Sequence, residues 1–329
     1  MPRKTPPSKL NDISNRKLLV IGDFMLDTYI YGTVDRISPE APVPVVAVTG
    51  EESMPGGAGN VAHSLVSLGA KAVIAGVCGK DANGNKLRQM LEGLGIHTGG
   101  LVYEPRRPTT TKTRITGANQ QMIRIDREQS APLKEETKRH LYDRIETILP
   151  HCDGVVVSDY AKGVIDKALM EHVAATARKH NKFLLVDPKT NDFSQYPGAT
   201  MIKPNKKEAV AAGGVKITDE TSLFKSGANL LAQSDSRYIV ITCGGDGMAL
   251  FERDREPRVF PVTNPRRVYD VSGAGDTVLA VIAAAMATGL KVDEALELAN
   301  IAGSIVVGKP GTAQVTLAEI IAELASGKC

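Results

Sequence analysis

Tryptophan is absent from the sequence, and all aromatic residues together make up only 4% of it. Proteins that bind single-stranded nucleic acid depend on aromatic side chains for base stacking. The net charge of +3 provides no strong basic field either. We therefore expect no nucleic-acid partner, and any binding site for an anion must be local.

The sequence also lacks paired cysteines and long apolar runs. The four cysteines are Cys78, Cys152, Cys243 and Cys329. They form no CxxC pair, which predicts free thiols in a reducing compartment. The longest apolar stretch, residues 278–286, is too short to span a bilayer. Residues 1–16 are polar and have no apolar signal-peptide core. We therefore expect a short disordered leader, a cytoplasmic protein and no membrane partner.

Short apolar runs alternate with amphipathic segments over much of the chain, which is typical of an α/β protein. Residues 17–22, 155–157, 183–186 and 238–242 read as strands that are buried on both faces. Polar or glycine-rich residues follow each run. We predict one α/β domain over residues 17–329, with a doubly wound, mainly parallel sheet and helices on both faces. Its ligands should bind at the carboxyl ends of the strands.

Two segments do not fit a parallel sheet. Residues 29–49 contain strand-like runs around a proline-rich loop, and residues 109–126 alternate with period two around residues 117–120. We predict that they form a small antiparallel sheet, which we call the lid. The basic residues of this region are Arg106, Arg107, Lys112, Arg114 and Arg124. For any one of them, solvated charge on an exposed sheet is the simpler interpretation.

A glycine-rich stretch at residues 269–277 runs into an apolar, alanine-rich helix. A helix N-terminus presents unpaired N–H groups and the positive end of the macrodipole. Glycines such as Gly273 and Gly275 let a phosphate approach those groups closely. Asp276 in the first turn can accept a proton from an attacking hydroxyl. The stretch therefore indicates phosphoryl transfer to an alcohol, although a turn with a capping acid explains it equally well by itself.

Two other phosphate-binding patterns fail. Residues 57–62 match GxGxxA, but they follow residues 51–55 and not an apolar strand, which argues against an NAD-dependent oxidoreductase. The GxxxxGK[ST] motif and the protein-kinase signatures are absent from the sequence. The phosphate cradle is therefore predicted at residues 273–276, together with the glycine-rich loop at residues 244–247.

Three stretches resemble the signatures of one family. Asp270-Val271-Ser272-Gly273-Ala274-Gly275-Asp276-Thr277 resembles the DTxGAGD signature of the ribokinase-like sugar kinases, the PfkB family. Residues 55–62 resemble its N-terminal GG signature, and residues 205–208 its NxxE motif. The resemblance covers nearly the whole chain after residue 16. Ser272 stands where the family usually has threonine, and the hydroxyl is kept.

The resemblance can be narrowed. Residues 35–46, 107–114 and 119–121 are similar to the D-glycero-β-D-manno-heptose-7-phosphate kinases of ADP-heptose and lipopolysaccharide synthesis. Many of these kinases are fused to a nucleotidyltransferase domain with an HxGH motif, which this sequence lacks, so the stand-alone form is expected. The resemblance implies that ATP·Mg²⁺ donates its γ-phosphoryl to the C1 hydroxyl of heptose 7-phosphate. The alternatives are another sugar or nucleoside kinase of the family and a catalytically idle sugar-binding protein on the same fold.

The resemblance also implies residue roles. Asp276 would be the base, and the N–H groups of Gly273, Ala274, Gly275 and Asp276 would form an anion hole. The residues implied for the nucleotide are Asn205, Glu208, Thr242, Gly244, Gly245, Gly247 and Asn300. Glu208 would reach Mg²⁺ through water. The residues implied for the sugar are Asp27, Gly57, Asn60 and Asp159. The candidates for the sugar phosphate are Arg114, Arg124, Lys162 and Lys189. Asp270 matches a monovalent-cation position (K⁺), and pairing of lids suggests a homodimer.

Overall fold

The computed structural model describes residues 7–117, 120–264 and 266–326. Its strands are β1 (Lys17–Gly22), β2 (Phe24–Ile37), β3 (Pro44–Gly57), β4 (Lys71–Gly79), β5 (His97–Glu104), β6 (Thr110–Gly117), β7 (Gln120–Arg127), β8 (Gly154–Ser158), β9 (Phe183–Asp187), β10 (Met201–Ile202), β11 (Tyr238–Thr242), β12 (Met248–Glu252) and β13 (Arg258–Phe260). Its α-helices are α1 (Pro7–Asn11), α2 (Ala58–Ser67), α3 (Ala82–Gly93), α4 (Glu135–Ile148), α5 (Lys167–Lys179), α6 (Lys206–Gly213), α7 (Glu220–Gln233), α8 (Ala274–Ala287), α9 (Val292–Val307) and α10 (Leu317–Ala325).

The large sheet has nine strands in the order β13-β12-β11-β10-β9-β8-β1-β4-β5. The pairs from β5 to β11 are parallel, and β12 and β13 add an antiparallel edge. The apolar run in β1 shows why the strands lie in the middle of the protein. Leu18 and Val20 pack into one core, whereas Leu19 and Ile21 pack into the other. Successive side chains of a strand point to opposite faces, so both faces need a layer of helices. The predicted doubly wound sheet is confirmed.

Helix α8 holds the glycine-rich stretch in place. Residues from Asp276 to Ala285 are all buried, and α8 packs between α2 and α9 on one face of the sheet. A helix that is apolar on all sides belongs in the interior. Helices α4, α5 and α7 cover the opposite face. The start of α8 is therefore fixed against the carboxyl ends of the central strands.

The lid is a separate sheet in the order β3-β2-β6-β7. Its outer pairs are antiparallel, and the central pair β2–β6 is parallel. The strands are longer than the runs predicted at residues 29–31 and 43–48. Asp27 consequently lies within β2 and not in a loop after β1, and Gly57 ends β3, one residue before α2 begins. Residues 118 and 119 of the predicted hairpin lie outside the described residues.

The N-terminal segment differs from the expected disordered leader. Helix α1 is followed by a 3-10 turn at Asp12–Asn15, and Leu10 and Ile13 are buried in the same core as α8. The expectation is therefore wrong for residues 7–16. Two apolar residues three positions apart are enough to anchor one turn of helix to a core. The polar average composition of residues 1–16 hides these two residues. Residues 1–6 lie outside the described residues.

The cysteines within the described ranges are free, as expected. Cys78, Cys152 and Cys243 are buried, and burial raises the pKa of Cys78 to about 12 and that of Cys152 to about 11. Cys329 lies outside these ranges. Of the helices that the structure describes, none has both the length and the apolar character needed to cross a bilayer.

Candidate active site

The start of α8 offers free backbone donors. Gly273, the residue before the helix, has φ 77°, and a Cβ there would lie 2.7 Å from both Asn60 Nδ2 and Thr312 Cγ2. Only glycine fits this conformation and this space. The N–H groups of Gly275 and Asp276 have no acceptor among the described residues. The stretch therefore presents donors of the kind that bind a phosphate.

Asp276 is a buried carboxylate held by two side chains. Asn60 Nδ2 donates to its Oδ2 at 2.7 Å, and the Tyr160 hydroxyl donates to its Oδ1 at 3.0 Å. Burial raises the pKa of Asp276, and the two hydrogen bonds oppose that rise. A raised pKa makes a carboxylate a stronger base while it stays ionised at neutral pH. Asn60 was predicted to bind the sugar, and the structure places it on Asp276 itself.

A buried lysine lies beside the same helix start. Lys203 is 2% exposed, and its Nζ lies 3.1 Å from Asp187 Oδ2. The Nζ is also 3.7 Å from the position that a Cβ on Gly275 would occupy. Burial raises the pKa of Asp187 to about 7, although Lys203 opposes the rise. Sequence analysis assigned no role to either residue. The signal was present, because each comes at the carboxyl end of a strand.

A second buried carboxylate positions the loop that carries Tyr160. Asp23 follows β1 and accepts hydrogen bonds from the N–H groups of Tyr160, Lys162 and Val164 at 2.8, 3.2 and 3.4 Å. Burial raises its pKa to about 6. Three donors around one carboxylate fix the direction of the loop. The Tyr160 hydroxyl is thereby directed at Asp276.

Arg107 fixes the same loop from the other side. It is 7% exposed, and it donates to the carbonyls of Lys162 at 2.7 Å and Gln129 at 2.8 Å, and to that of Ala131. The expectation of solvated charge is therefore wrong for Arg107. It lies in the turn before β6 and not on the strand face, so period-two alternation does not apply to it.

Five of the seven residues predicted for the nucleotide line one cleft of about 230 Å³. They are Thr242, Gly244, Gly245, Gly247 and Asn300, and they face Ala274 and Gly275 across it. A Cβ on Gly244 or Gly245 would meet no atom within 4 Å, so this wall is open. Asn300 is not free, because its Nδ2 donates to the carbonyls of Phe260 and Pro261. The cleft joins the free N–H groups of α8 to an apolar wall.

Asn205 and Glu208 form a capping box at the start of α6. Asn205 Oδ1 accepts from the Glu208 N–H at 3.0 Å, and Glu208 Oε2 accepts from the Asn205 N–H at 2.9 Å. Such a pair satisfies two otherwise unpaired donors. Within residues 7–117, 120–264 and 266–326, no three His, Cys, Asp or Glu side chains are grouped to hold a metal. Any Mg²⁺ here would depend on phosphate oxygens and water for most of its ligands.

Lys189 and Asp159 lie near Glu208. Lys189 Nζ is 3.0 Å from Glu208 Oε1, and both Lys189 and Glu208 act on the pKa of Asp159, which burial raises. Asp159 also accepts a hydrogen bond from the Tyr196 hydroxyl at 2.7 Å. Lys189 and Asp159, which were predicted to bind the sugar, are thus grouped with Glu208, which was predicted to bind the nucleotide. Position at a strand end cannot tell one side from the other.

The lid contributes the other predicted sugar residues. Asp27 Oδ1 lies 2.9 Å from Arg114 Nη1, and the Arg114 guanidinium lies over the Tyr29 ring. The Tyr29 hydroxyl lies 3.5 Å from Thr312 Oγ1, beside Gly273. This face of the lid is therefore turned toward the start of α8. Gly57, with φ 58°, has no room for a Cβ, which would lie 2.5 Å from the Asp23 carbonyl.

Each lysine and arginine predicted for the sugar phosphate already has a carboxylate partner. Their ion pairs are Arg114–Asp27 at 2.9 Å, Arg124–Asp126 at 2.9 Å, Lys162–Glu128 at 2.8 Å and Lys189–Glu208 at 3.0 Å. Asp270 accepts a hydrogen bond from the Ser272 N–H at 2.8 Å within the turn before α8. Its role toward a monovalent cation stays a prediction.

Comparison with known proteins shows the family of this chain. The sequence model of the pfkB family carbohydrate kinases matches residues 15–318. The chain is 49% identical over 312 residues to the bifunctional protein HldE of Desulfatibacillum aliphaticivorans, covering 94% of this chain and 63% of that protein. It is 45% identical over 324 residues to the protein of the same name from Geobacter sulfurreducens, covering 98% and 66%. The chain thus spans slightly less than two thirds of these relatives.

Solved structures show the same fold at low sequence identity. Arabidopsis thaliana ribokinase, complexed with ribose and ATP, superposes with a TM-score of 0.76 at 20% identity over 94% of this chain and 98% of that one. Escherichia coli phosphofructokinase-2, in complex with potassium, gives a TM-score of 0.78 at 20% identity over the same shares. The fold and the matched span agree, and the chain belongs to the pfkB family of carbohydrate kinases.

Proposed function

We propose that this kinase transfers the γ-phosphoryl of ATP·Mg²⁺ to the C1 hydroxyl of D-glycero-β-D-manno-heptose 7-phosphate. The products would be ADP and the 1,7-bisphosphate, on the route to ADP-heptose and the lipopolysaccharide core. The observation that carries the transferase part is the start of α8. There, two N–H groups that have no acceptor in the described part of the chain adjoin a buried carboxylate of raised pKa.

Asp276 acts as the base in this proposal. Its carboxylate takes the proton of the acceptor hydroxyl as the new O–P bond forms and the bond to ADP breaks. Asn60 and Tyr160 hold the carboxylate so that an oxygen faces the acceptor. Because both carboxylate oxygens already accept a hydrogen bond, the acceptor hydroxyl must share one of them.

The N–H groups of Gly275 and Asp276 and the ammonium of Lys203 bind the charge that develops on the transferred group. Gly275 lines the predicted nucleotide cleft, and the Nζ of the buried Lys203 lies 3.7 Å from the position that a Cβ on Gly275 would occupy. Donors that are already oriented in a site with little water stabilise such charge far better than water does. Asp187 Oδ2, at 3.1 Å from Lys203 Nζ, holds this side chain in its buried position.

The residues present fit a nucleotide with Mg²⁺. The wall at Gly244 and Gly245 is open, and Glu208 offers one carboxylate at the helix start with 14% exposure of its side chain. When bound, Mg²⁺ neutralises phosphate charge. Glu208 would orient the water around it, and Lys189 would hold Glu208 in place. The donor set suits an ion bound mainly by phosphates and water.

The choice of heptose 7-phosphate rests on the resemblance of residues 35–46 and 107–114. Both stretches contribute to the lid, which is turned toward Asp276 through the contacts of Tyr29 and Arg114. Another sugar or nucleoside substrate of the family remains the second candidate, because the fold does not fix the substrate. The hydrogen-bonded base and the N–H groups at the start of α8 argue against an idle binding protein.

A turnover screen tests this proposal. ADP release would be measured with heptose 7-phosphate, fructose 6-phosphate, ribose and adenosine as acceptors. We expect the highest kcat/KM with heptose 7-phosphate, and a strong preference for another acceptor would overturn the substrate assignment.

The role of the base is tested with a variant in the same assay. We expect Asp276→Asn to lower kcat by about 10²- to 10⁴-fold, the usual contribution of a general base. Binding of ATP and sugar, measured by calorimetry, should persist because the amide keeps the shape of the site. Near-normal turnover by this variant would exclude Asp276 as the base.

We also propose that the protein is a cytoplasmic homodimer joined through the lid. Large apolar side chains are exposed on the lid strands and their connection: Tyr31 41%, Ile37 62%, Val43 51%, Val48 63%, Met122 43%, Ile123 54% and Ile125 52%. Exposed apolar side chains gathered on one small sheet are typical of a surface that binds another protein. A second copy of the lid offers a matching surface.

A further inference from the structure

Charged side chains form rows across the lid. Lys112 of β6 is in register with Asp27 of β2 and Asp126 of β7. The next row on the same face contains Arg114 and Arg124. Paired residues of neighbouring strands project to the same face. All five side chains therefore lie together on the face that is turned toward Asp276.

The carboxylates of these rows are already taken. Asp27 pairs with Arg114 at 2.9 Å, and Asp126 accepts two hydrogen bonds from Arg124 at 2.9 Å each. Arg124 and Arg114 thereby use the two anions that flank Lys112. Lys162, whose charge acts on that of Lys112, pairs with Glu128. Four cations thus face three carboxylates, and one positive charge is left over.

The charge left over is on Lys112. Within the described ranges, its Nζ has no carboxylate or hydrogen-bond partner, and it lies 5.6 Å from the centroid of the Tyr160 ring. The side chain is partly buried. Burial lowers the pKa of Lys112, the charges of Asp27 and Asp126 oppose this fall, and those of Lys162 and Arg124 add to it. A partly buried cation without a partner is unfavourable, and an anionic ligand that reaches it recovers that free energy.

The position of Lys112 relates it to the reacting centre. Its ammonium lies over the ring of Tyr160, whose hydroxyl donates to Asp276 Oδ1 at 3.0 Å. The width of one tyrosine side chain therefore separates the two groups. A sugar that places its reacting hydroxyl at Asp276 and runs along the Tyr160 side chain would bring its far end within reach of Lys112.

We infer that Lys112 anchors a phosphate at the far end of the acceptor, so that the site selects sugars already phosphorylated opposite the reacting hydroxyl. The inference rests on the proposed function and assigns the residue that holds the phosphate of the acceptor. Arg124 and Lys162, the neighbouring cations, add their field to the same anion. Lys112 replaces the four ion-paired residues as the first contact of the sugar phosphate.

The test compares Lys112→Met with the wild-type enzyme and with Lys112→Arg. The acceptors are heptose 7-phosphate and the same heptose without phosphate, and binding of heptose 7-phosphate is also measured by calorimetry without ATP. Lys71→Met serves as a matched control, because Lys71 is an exposed lysine at the start of β4 with no side-chain partner in the described part of the chain. Loss of one charged hydrogen bond should raise KM and Kd for heptose 7-phosphate about 10- to 100-fold.

Specificity distinguishes this role from a structural one. We expect the KM for ATP and the kcat/KM for unphosphorylated heptose to stay within about twofold in Lys112→Met, and Lys112→Arg to keep most of the affinity. An equal loss with both sugars, or no loss with heptose 7-phosphate, would overturn the inference.

Failure of the proposed function gives a different result. If the wild-type enzyme prefers another phosphorylated sugar, the heptose assignment fails and the same comparison is made with that sugar. If the wild-type enzyme prefers unphosphorylated sugars, the anchoring role of Lys112 is excluded.

Discussion

At the scale of single residues, the hydroxyl of Tyr160 acts on the pKa of the proposed base, Asp276. It stabilises the ionised form of Asp276, and its hydrogen bond lowers the carboxyl pKa against the rise caused by burial. Tyr160 is therefore a positioning residue, since its hydroxyl acts through Asp276. Its removal changes the titration of the base and leaves the phosphate donors in place.

We predict that Tyr160→Phe moves the acidic limb of the pH profile of kcat/KM to higher pH. The variant loses a hydrogen bond that favours the carboxylate, so the pKa of Asp276 rises further. Rates from about pH 5 to 9 would measure the shift. Tyr142→Phe is the control, because Tyr142 stacks on His172 and makes no contact with Asp276. An unshifted limb in Tyr160→Phe would argue against Asp276 as the titrating base.

The partner of Lys189 leads to a second prediction at this scale. Since its ammonium holds Glu208, we expect Lys189→Ala to raise the KM for ATP about 10-fold and the KM for the sugar by less than about twofold. Lys207→Ala is the control, because Lys207 is an exposed lysine on α6, the helix that carries Glu208. Initial rates with each substrate varied in turn separate the two constants. A larger effect on the KM for the sugar than on the KM for ATP would favour the original assignment of Lys189 to the sugar phosphate.

Among the elements, the short N-terminal helix most changes the expected picture. One turn of helix, α1, joins the core through Leu10, which is 2% exposed. Leu10 and Ile13 contact the side of the core that contains α8 and α10, as the pocket that they line shows. The segment therefore supports the helix that carries Asp276.

We expect Leu10→Ala to lower the free energy of unfolding by about 2 to 3 kcal/mol, as for other buried leucines. Asn11→Ala, at the exposed neighbouring residue, should change it by less than about 0.5 kcal/mol. Chemical denaturation of both variants measures the difference. Equal, small effects would mean that α1 does not belong to the cooperative core.

The sequence predicted the central strands and helices well, but it predicted the long-range side-chain contacts of the site poorly. Apolar runs such as β1 and the alanine-rich α8 are recognisable because burial on all sides leaves no room for polar residues. The glycine-rich start of α8 and Asp276 followed from the needs of an anion site. Asp23 and Tyr160 were not assigned, because their roles arise from contacts across more than 100 residues of sequence. Local patterns do not contain that information.

At the scale of the whole molecule, the lid presents charged side chains on one face and apolar side chains on the other. Arg124 and Asp126 alternate along β7 with Ile123 and Ile125, which are 54% and 52% exposed. One face of the lid is thus turned to the site, and the other to the outside. In a dimer the outer faces would cover each other, and substrate entry would then depend on how the two copies pack.

We predict that Ile123→Glu weakens self-association about 10- to 100-fold, because a charge replaces a side chain that would be buried between copies. Sedimentation velocity over a range of concentrations measures the effect. Val259→Glu is the control, since Val259 is 43% exposed on β13, at the far edge of the large sheet. A wild-type protein that stays monomeric at high concentration would exclude the dimer.

Asp23 shows that positioning and stability can oppose each other in this protein. Its pKa in the folded state is about 6, above the ordinary value of 3.8, because burial outweighs its three backbone hydrogen bonds. Between these two values the folded protein holds a proton that the unfolded chain has released, so stability from this group falls as the pH rises. At neutral pH the fold therefore carries a charge that weakens it. In return, residues 160–164 have one orientation, and acid below about pH 6 would relax the loop while strengthening the fold around it.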